Sequence, residues 1–329
     1  MPKLSIILPT YNGARFLPEQ IGSVLKQDDE DFELLITDDG STDDTRSVTA
    51  ELAATDARIR VIASSGNLGQ NNRLAQLIGE ATGDYVAICD QDDRWAPDRN
   101  RLLFAAMGDR PMAFGRSELI DGDGTAMGKS LLEALLLEPG PESKLRGLIR
   151  PMYSAHATIT ERGHLGVAGL WAPLPFDWMM ALECLFSRGL VYVDEAVTFH
   201  RLHGGNQANH LQSDEGKYSA SYFRWLFLFR RIGRLRLWLV FDFLGRSALL
   251  DSETRRLFAH LANRCQTVWF AEWRALRNDG GLRADIKEAL RPLSGGTADW
   301  NYFANEIDIL TSPKLGRPMR QEVRRRYQM

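Results

Sequence analysis

The first hundred residues alternate between two periods. Leu4 to Leu8 is a short apolar run, Ala14 to Lys26 carries apolar side chains three and four residues apart, and Phe32 to Thr37 is apolar again. The rhythm recurs twice. Helical spacing over Thr42 to Ala54 precedes an apolar Arg58 to Ile62, and helical spacing over Gly69 to Gly79 precedes Asp84 to Cys89. Alternation of this kind predicts βαβ units and hence an α/β fold, a mostly parallel sheet flanked by helices with ligands at the carboxyl ends of its strands. Each of those ends is polar: Pro9-Thr10-Tyr11-Asn12-Gly13, Asp38-Asp39-Gly40-Ser41, Ser64 to Asn67, and Asp90-Gln91-Asp92-Asp93. They are predicted to converge on one crevice.

Further along, a helix is expected over Asp98 to Met107 and a hairpin over Met112 to Thr125, turning at Asp121-Gly122-Asp123-Gly124. Residues 131–170 show no usable period. A helix over Asp177 to Ser187 and strands over Leu190 to Val193 and Ala196 to Leu202 complete a first domain, 1–213, whose halves are 1–110 and 111–213. From 214 to 329 the pattern is mainly helical, over Tyr218 to Leu250 and Glu253 to Arg277.

Composition narrows the function. A hydrophobic fraction of 44% over 329 residues supports a packed core. The net charge of −3 divides into −12 through residue 214 and +9 from Glu215 onward, so the two parts are expected to meet different partners. Three cysteines, Cys89, Cys184 and Cys265, make neither a disulfide framework nor a paired zinc motif, which fits a reducing cytoplasm. No charged and apolar leader and no run of about 18 uncharged apolar residues occurs, so a cytoplasmic protein is expected, with any membrane contact peripheral, on the inner face. Over 222–243, Trp225, Phe227, Phe229, Trp238 and Phe241 interleave with Arg224, Arg230, Arg231, Arg234 and Arg236. That pattern suits an interfacial helix on anionic lipid, or a core helix whose arginines pair with the acidic domain or with a second subunit of a homo-oligomer. No nucleic-acid-binding motif accompanies it, and no nucleic acid is expected.

The acidic run after Tyr85-Val86-Ala87-Ile88-Cys89 carries the most chemistry. Carboxylates ending a buried strand suit a hard divalent cation, and such a cation bridges two phosphates and stabilises a diphosphate leaving group. The alternative is a solvated turn before the next helix. Asp39 stands where an acidic side chain accepts the imide N–H of uracil or thymine, or where Asp38-Asp39-Gly40-Ser41 opens a helix. Tyr11 is a candidate to stack on that base.

SIILPTYNG, FELLITDDGSTDDT and NLGQNNRLAQLIGEATGDYVAICDQDDRWAPD, in this order, resemble the GT-A domain of family 2 glycosyltransferases over roughly residues 3 to 100. DQDDRW is similar to the rhamnosyltransferase-like members. The resemblance implies a Rossmann-like GT-A sheet and a UDP- or dTDP-sugar site built from Pro9, Thr10, Tyr11, Asp39, Asp90 and Gln91. It further implies a DxD motif in Asp90 and Asp92, with Asp92 ligating Mg²⁺ or Mn²⁺. Asp177 corresponds to the family's aspartate at the start of the acceptor-side helix and is the candidate general base, or else an ordinary helix-start aspartate. Phe176 stands where many relatives carry Glu or His. Trp178 and His156 fall on the acceptor side, unless His156 is a buried structural histidine. Phe199-His200-Arg201-Leu202-His203-Gly204-Gly205-Asn206 resembles a Tyr-Arg-x-His-x-x-Asn segment, implying that Arg201 clamps the diphosphate and His203 joins Asp92 on the metal, unless His203 makes only a loop hydrogen bond.

The expected activity is an inverting, metal-dependent transfer of a sugar, with dTDP-rhamnose one candidate donor, to a glycan or lipid-linked acceptor in cell-surface polysaccharide synthesis. A sugar nucleotidyltransferase would need a Gly-rich basic loop after the first strand, where only Gly13 and Arg15 stand. A dehydrogenase would need GxGxxG there. A non-catalytic sugar-nucleotide-binding or glycan-binding module would keep Asp39 and dispense with a base.

Overall fold

A computed structural model describes residues 3–134, 143–149, 154–165, 175–203, 233–270, 280–294, 300, 301 and 304. The chain divides into two compact units, Met1–Glu142 with Pro151–Phe223, and Ser143–Arg150 with Arg224–Met329. The boundary expected near Ser213 lies outside the described residues.

The first unit is built on a nine-stranded sheet. Its parallel part uses β1 (Leu4–Thr10), β2 (Phe32–Asp38), β3 (Ile59–Val61) and β4 (Tyr85–Ile88), in the order β3-β2-β1-β4. The helices between them are α1 (Leu17–Leu25), α2 (Thr45–Ala53) and α3 (Gln70–Glu80). β1 and β2 are buried along nearly their whole length, as strands covered on both faces must be. The chain runs from β1 outward to β2 and β3, then returns to place β4 on the other side of β1. Between the carboxyl ends of β1 and β4 the order of strands reverses, and a crevice opens at such a point.

Beyond β4 the pairing becomes mixed. β8 (Thr158–Glu161) lies antiparallel between β4 and β6 (Met112–Ile120), and β6 pairs in parallel with β9 (Val191–Arg201). β5 (Arg94–Trp95) closes the order against β9, and β7 (Ala126–Ser130) forms the expected hairpin with β6. The two strands expected over 190–202 are one continuous β9. Its register against β6 jumps from Gly115↔Val193 to Arg116↔Ala196, so Asp194 and Glu195 bulge out. Gly115 permits that pairing: a Cβ there would lie 2.4 Å from Val197.

Three more helices complete the unit, α4 (Arg99–Met107), α5 (Leu131–Ala134) and a third over Phe176–Ser187. In that last helix every residue from Trp178 to Phe186 is buried, so it is a core element. The second unit contains α6 (Lys144–Ile149); the core helix Phe176–Ser187 is α7, and the second unit continues with α8 (Gly233–Arg246), α9 (Ser252–Phe270) and α10 (Gly280–Leu290). Leu237, Val240, Phe241 and Leu244 of α8 are buried, and Phe241 stacks on Phe258 of α9 at 5.9 Å. Among the described residues no helix is long and apolar enough to cross a membrane. Of the segment considered for lipid contact, 222–232 lies outside the described residues; after it Leu237, Val240 and Phe241 are buried, while Trp238, Leu239 and Phe243 are partly exposed.

Candidate active site

The strand tips meet as the alternation predicts. At the end of β1, Asn12 takes φ +50°, and its Oδ1 accepts the Thr42 N–H at 2.8 Å while the Asn12 N–H donates to Ser41 Oγ at 2.9 Å. The β1 and β2 tips are thereby laced together, with Asp39 N–H donating to the Thr10 carbonyl at 2.8 Å. Tyr11 is 48% exposed, an aromatic face open at the mouth of the crevice. Asp39 is buried, and its carboxylate accepts the N–H groups of Leu68 (2.7 Å) and Gly69 (2.9 Å) and the Arg73 Nε–H (2.9 Å). Arg73, itself buried, donates onward to the carbonyls of Ser65 and Gly66. Asp38 points elsewhere, holding Gly40, Ser41 and Arg46; burial pushes its pKa up, but these hydrogen bonds bring it below the ordinary value.

After β4 the four polar residues take four different roles. Asp90 is partly exposed at the crevice. Gln91, expected on the nucleotide, instead accepts the Tyr11 N–H through Oε1 at 2.8 Å and donates its amide to the Tyr11 carbonyl at 3.0 Å. Both ends of its amide are engaged in fixing the Tyr11 backbone, so its influence on a ligand passes through that loop. Asp92 Oδ2 lies within hydrogen-bond distance, 2.8 Å, of His203 Nε2. Burial, Asp93 and Asp90 all raise the Asp92 pKa, and the His203 contact only partly offsets them. A carboxylate crowded by two others is stabilised by a cation, so this pair fits a divalent ion of the Mg²⁺ or Mn²⁺ kind. Asp93 is 0% exposed. Burial would raise its pKa, but His200, His156 and the Arg201 N–H hold it below the ordinary value.

Arg201 and Trp178 depart from their sequence expectations here, and His156 takes the buried structural role that stood as its alternative. Arg201 does not project toward a diphosphate: it is buried, bonded to Glu19 at 2.6 Å, and donates to the carbonyls of Asp92 (2.9 Å) and Gly122 (3.3 Å). It braces the acidic loop against α1 and the β6–β7 turn. His156 is buried with Nε2 at 2.9 Å from Ser117 Oγ and Nδ1 at 3.4 Å from Asp90, which leaves no ring nitrogen facing an acceptor. Trp178 is fully buried on α7 and presents no face to an acceptor.

Asp177 opens α7 and is partly buried, with Oδ1 accepting the Trp178 N–H at 2.8 Å. Protein surrounds its carboxyl, and desolvation raises the pKa to about 6, with the Asp90 charge adding to it and Trp178 and His156 opposing. Sequence reasoning missed Asp93 and His200. His200 Nδ1 lies 2.9 Å from Asp93 Oδ1, and its ring stacks on His156. Burial lowers the His200 pKa, but Asp93, with Asp90 and Asp92, reverses that and lifts it to about 9. Asp90, Asp93, His156 and His200 form the group of potential metal ligands found among the described residues.

The fold is shared with the crystal structure of S. aureus TarS residues 1–349 in complex with UDP-GlcNAc, at TM-score 0.56 and 17% identity over 97% of this chain and 92% of that one. In sequence the chain is similar to the putative teichuronic acid biosynthesis glycosyltransferase TuaG of Bacillus subtilis, 30% identical over 161 residues, 48% of this chain and 64% of the relative. It is also similar to a Campylobacter jejuni GalNAc(5)-diNAcBac-PP-undecaprenol beta-1,3-glucosyltransferase, 38% identical over 94 residues, 28% of this chain and 30% of that protein. The matches thus span less than two thirds of these curated relatives. The profile described as Glycosyl transferase family 2 matches residues 5–165, just under half of the chain and the stretch that carries the parallel strands, the reversed strand order and the acidic tips.

Proposed function

We propose that this chain is an inverting glycosyltransferase that moves a sugar from a uridine or thymidine diphosphate donor to a hydroxyl of a glycan or lipid-linked acceptor in cell-surface polysaccharide synthesis. The observation that supports the reading is a strand-tip site, Asp39 and Asp92–His203, together with a carboxylate of raised pKa, Asp177, on which the Asp90 charge acts. Names of the similar proteins, teichuronic acid synthesis and undecaprenol-linked glucosyl transfer, support a surface-glycan acceptor. A UDP-GlcNAc complex in the shared fold supports a uridine donor, and dTDP-rhamnose belongs in the same trial.

Asp39 and the open face of Tyr11 hold the base, and the Gln91 clamp keeps Tyr11 in place. Asp92 and His203 would hold Mg²⁺ or Mn²⁺, which supplies positive charge to the departing diphosphate. With a pKa near 6, Asp177 is ionised at neutral pH yet more basic than a free aspartate, as a general base should be. It takes the proton of the acceptor hydroxyl while that oxygen bonds to the anomeric carbon from the face opposite the nucleotide. The bond between the anomeric carbon and the phosphate oxygen breaks, and the nucleoside diphosphate leaves.

The test is a panel of UDP-, dTDP- and GDP-sugars with Mg²⁺ or Mn²⁺, read by thermal stabilisation and by donor hydrolysis. Stabilisation by a uridine or thymidine diphosphate sugar that requires the cation is the expected result. Failure of every such donor to bind removes the reading.

A further inference from the structure

His200 and Asp93 have no part in that scheme, yet they form a largely buried, directly bonded polar pair at the site. Asp93 Oδ1 accepts two hydrogen bonds, from His200 Nδ1 at 2.9 Å and from the backbone N–H of Arg201 at 3.0 Å. Both donors lie on the last two residues of β9, the strand that leads directly to His203. On the other side, Asp93 adjoins Asp92 in sequence and precedes the short strand β5, which pairs with Thr198 and Phe199 of β9. The Arg201 Nε–H also donates to the Asp92 carbonyl. The ladder therefore fixes the acidic loop against the end of β9, one residue from Asp92 and three from His203.

These residues also invite a reading as a metal centre with Asp90 and His156. Asp93 Oδ2, fully buried, has no hydrogen-bond partner among the described residues and lies 3.9 Å from His156 Nδ1. The ring geometry argues against it. His156 and His200 stack with centroids 4.6 Å apart and planes only 3° from parallel. An imidazole nitrogen directs its lone pair in the plane of its ring, and two separate parallel planes share no point, so both rings cannot ligate one ion while stacked.

We propose that Asp93 and His200 are positioning residues that set the approach of His203 to Asp92, and so tune cation affinity without touching the cation. The proposal rests on the Asp92–His203 metal reading. Groups that hold metal ligands in place commonly change affinity by about 10- to 100-fold when removed. His200→Phe keeps a planar ring for the stack on His156 and loses the N–H to Asp93. Asp93→Asn keeps an oxygen able to accept both hydrogen bonds and loses the charge.

The experiment titrates Mn²⁺ alone into each protein, with free ion counted by electron paramagnetic resonance and the unfolding midpoint recorded in parallel. His200→Phe is expected to weaken Mn²⁺ binding about 10- to 100-fold and to lower the midpoint as well, because the buried Asp93 carboxylate loses its charged partner. His200→Asn, whose amide N–H takes the place of Nδ1, recovers most of the loss, and Asp93→Asn stays within about threefold of the parent. Should His200→Phe fail to fold, Asp93→Ser, too short to reach His200, replaces it with the same expectation. Parent-like affinity in the folded uncoupled variant overturns the proposal, as does an Asp93→Asn protein that loses as much as Asp92→Ala, which would make Asp93 a ligand. A parent that takes up no Mn²⁺, or an Asp92→Ala protein that takes up as much as the parent, removes the metal reading itself.

Discussion

Replacing Asp177 by asparagine is expected to make the protein more stable and less active, and the gain in stability must depend on pH. Burial of this carboxyl raises its pKa from 3.8 to about 6. Because the folded value lies above that of the unfolded chain, ionising Asp177 destabilises the fold. The effect is absent below pH 3.8, grows between 3.8 and 6, and is complete above 6. A difference of this size is worth about 3 kcal/mol at pH 8 and about 1.5 kcal/mol at pH 5. The substituted side chain would keep an oxygen for the Trp178 N–H, so the hydrogen bond that opens α7 survives the change. Urea unfolding of parent and Asp177→Asn at pH 5 and pH 8 measures the difference directly. Transfer by the variant should fall by about 10²- to 10⁴-fold at saturating donor, with donor binding retained. In the parent, the rate should rise with pH and level off above about 6 as the base ionises. A stability gain equal at both pH values, or no gain at pH 8, would show that the carboxyl is not held in a desolvated site, and undiminished transfer would show that it is not the base.

Asp92→Ala should abolish cation-dependent stabilisation by the donor, while binding of the nucleoside alone, read by calorimetry, persists through Asp39. Gly13→Ala should raise the donor KM several-fold with little loss of stability: its Cβ would sit 2.3 Å from Gln91 Oε1, and the flexible Gln91 can swing aside only by releasing the Tyr11 backbone. Glutamate at Arg230, Arg231 and Arg234 together should free the protein from vesicles of anionic lipid in a sedimentation assay. A parent protein that never binds such vesicles ends the lipid proposal for 222–243.

The parallel half of the sheet is legible because each strand is a buried apolar run that stops abruptly at polar residues, and the tips that carry Asp39 and Asp92 are those stops. Periodicity sets the helix starts too early, at Ala14 and Thr42; the helices begin at Leu17 and Thr45, and the residues before them form turns whose Thr42, Asp43 and Asp44 side chains are exposed. β5 escapes notice because two residues have no period. Its register pairs Arg94 with Phe199, so the next antiparallel step sets Asp93 opposite His200. Without that strand, the acidic run gives no sign of which carboxylate turns inward. The resemblance of the segment around Arg201 and His203 implies a phosphate ligand. A sequence records that segment but not the side of β9 from which the guanidinium emerges, and here it meets Glu19. β8 and the assignment of Ser143–Arg150 to the second unit depend on contacts far along the chain, which local patterning does not contain.

On the proposed role of Asp39 in holding the base, its three donors have a consequence for which nucleotides the crevice admits. A carboxylate offers about four lone pairs. Leu68 and Arg73 occupy both on Oδ1, and Gly69 takes one on Oδ2, so a single acceptor direction remains. Cytosine would bring an unprotonated ring nitrogen to that spot, setting lone pair against lone pair in a buried place, and cytidine diphosphate sugars should be turned away by electrostatics rather than by size.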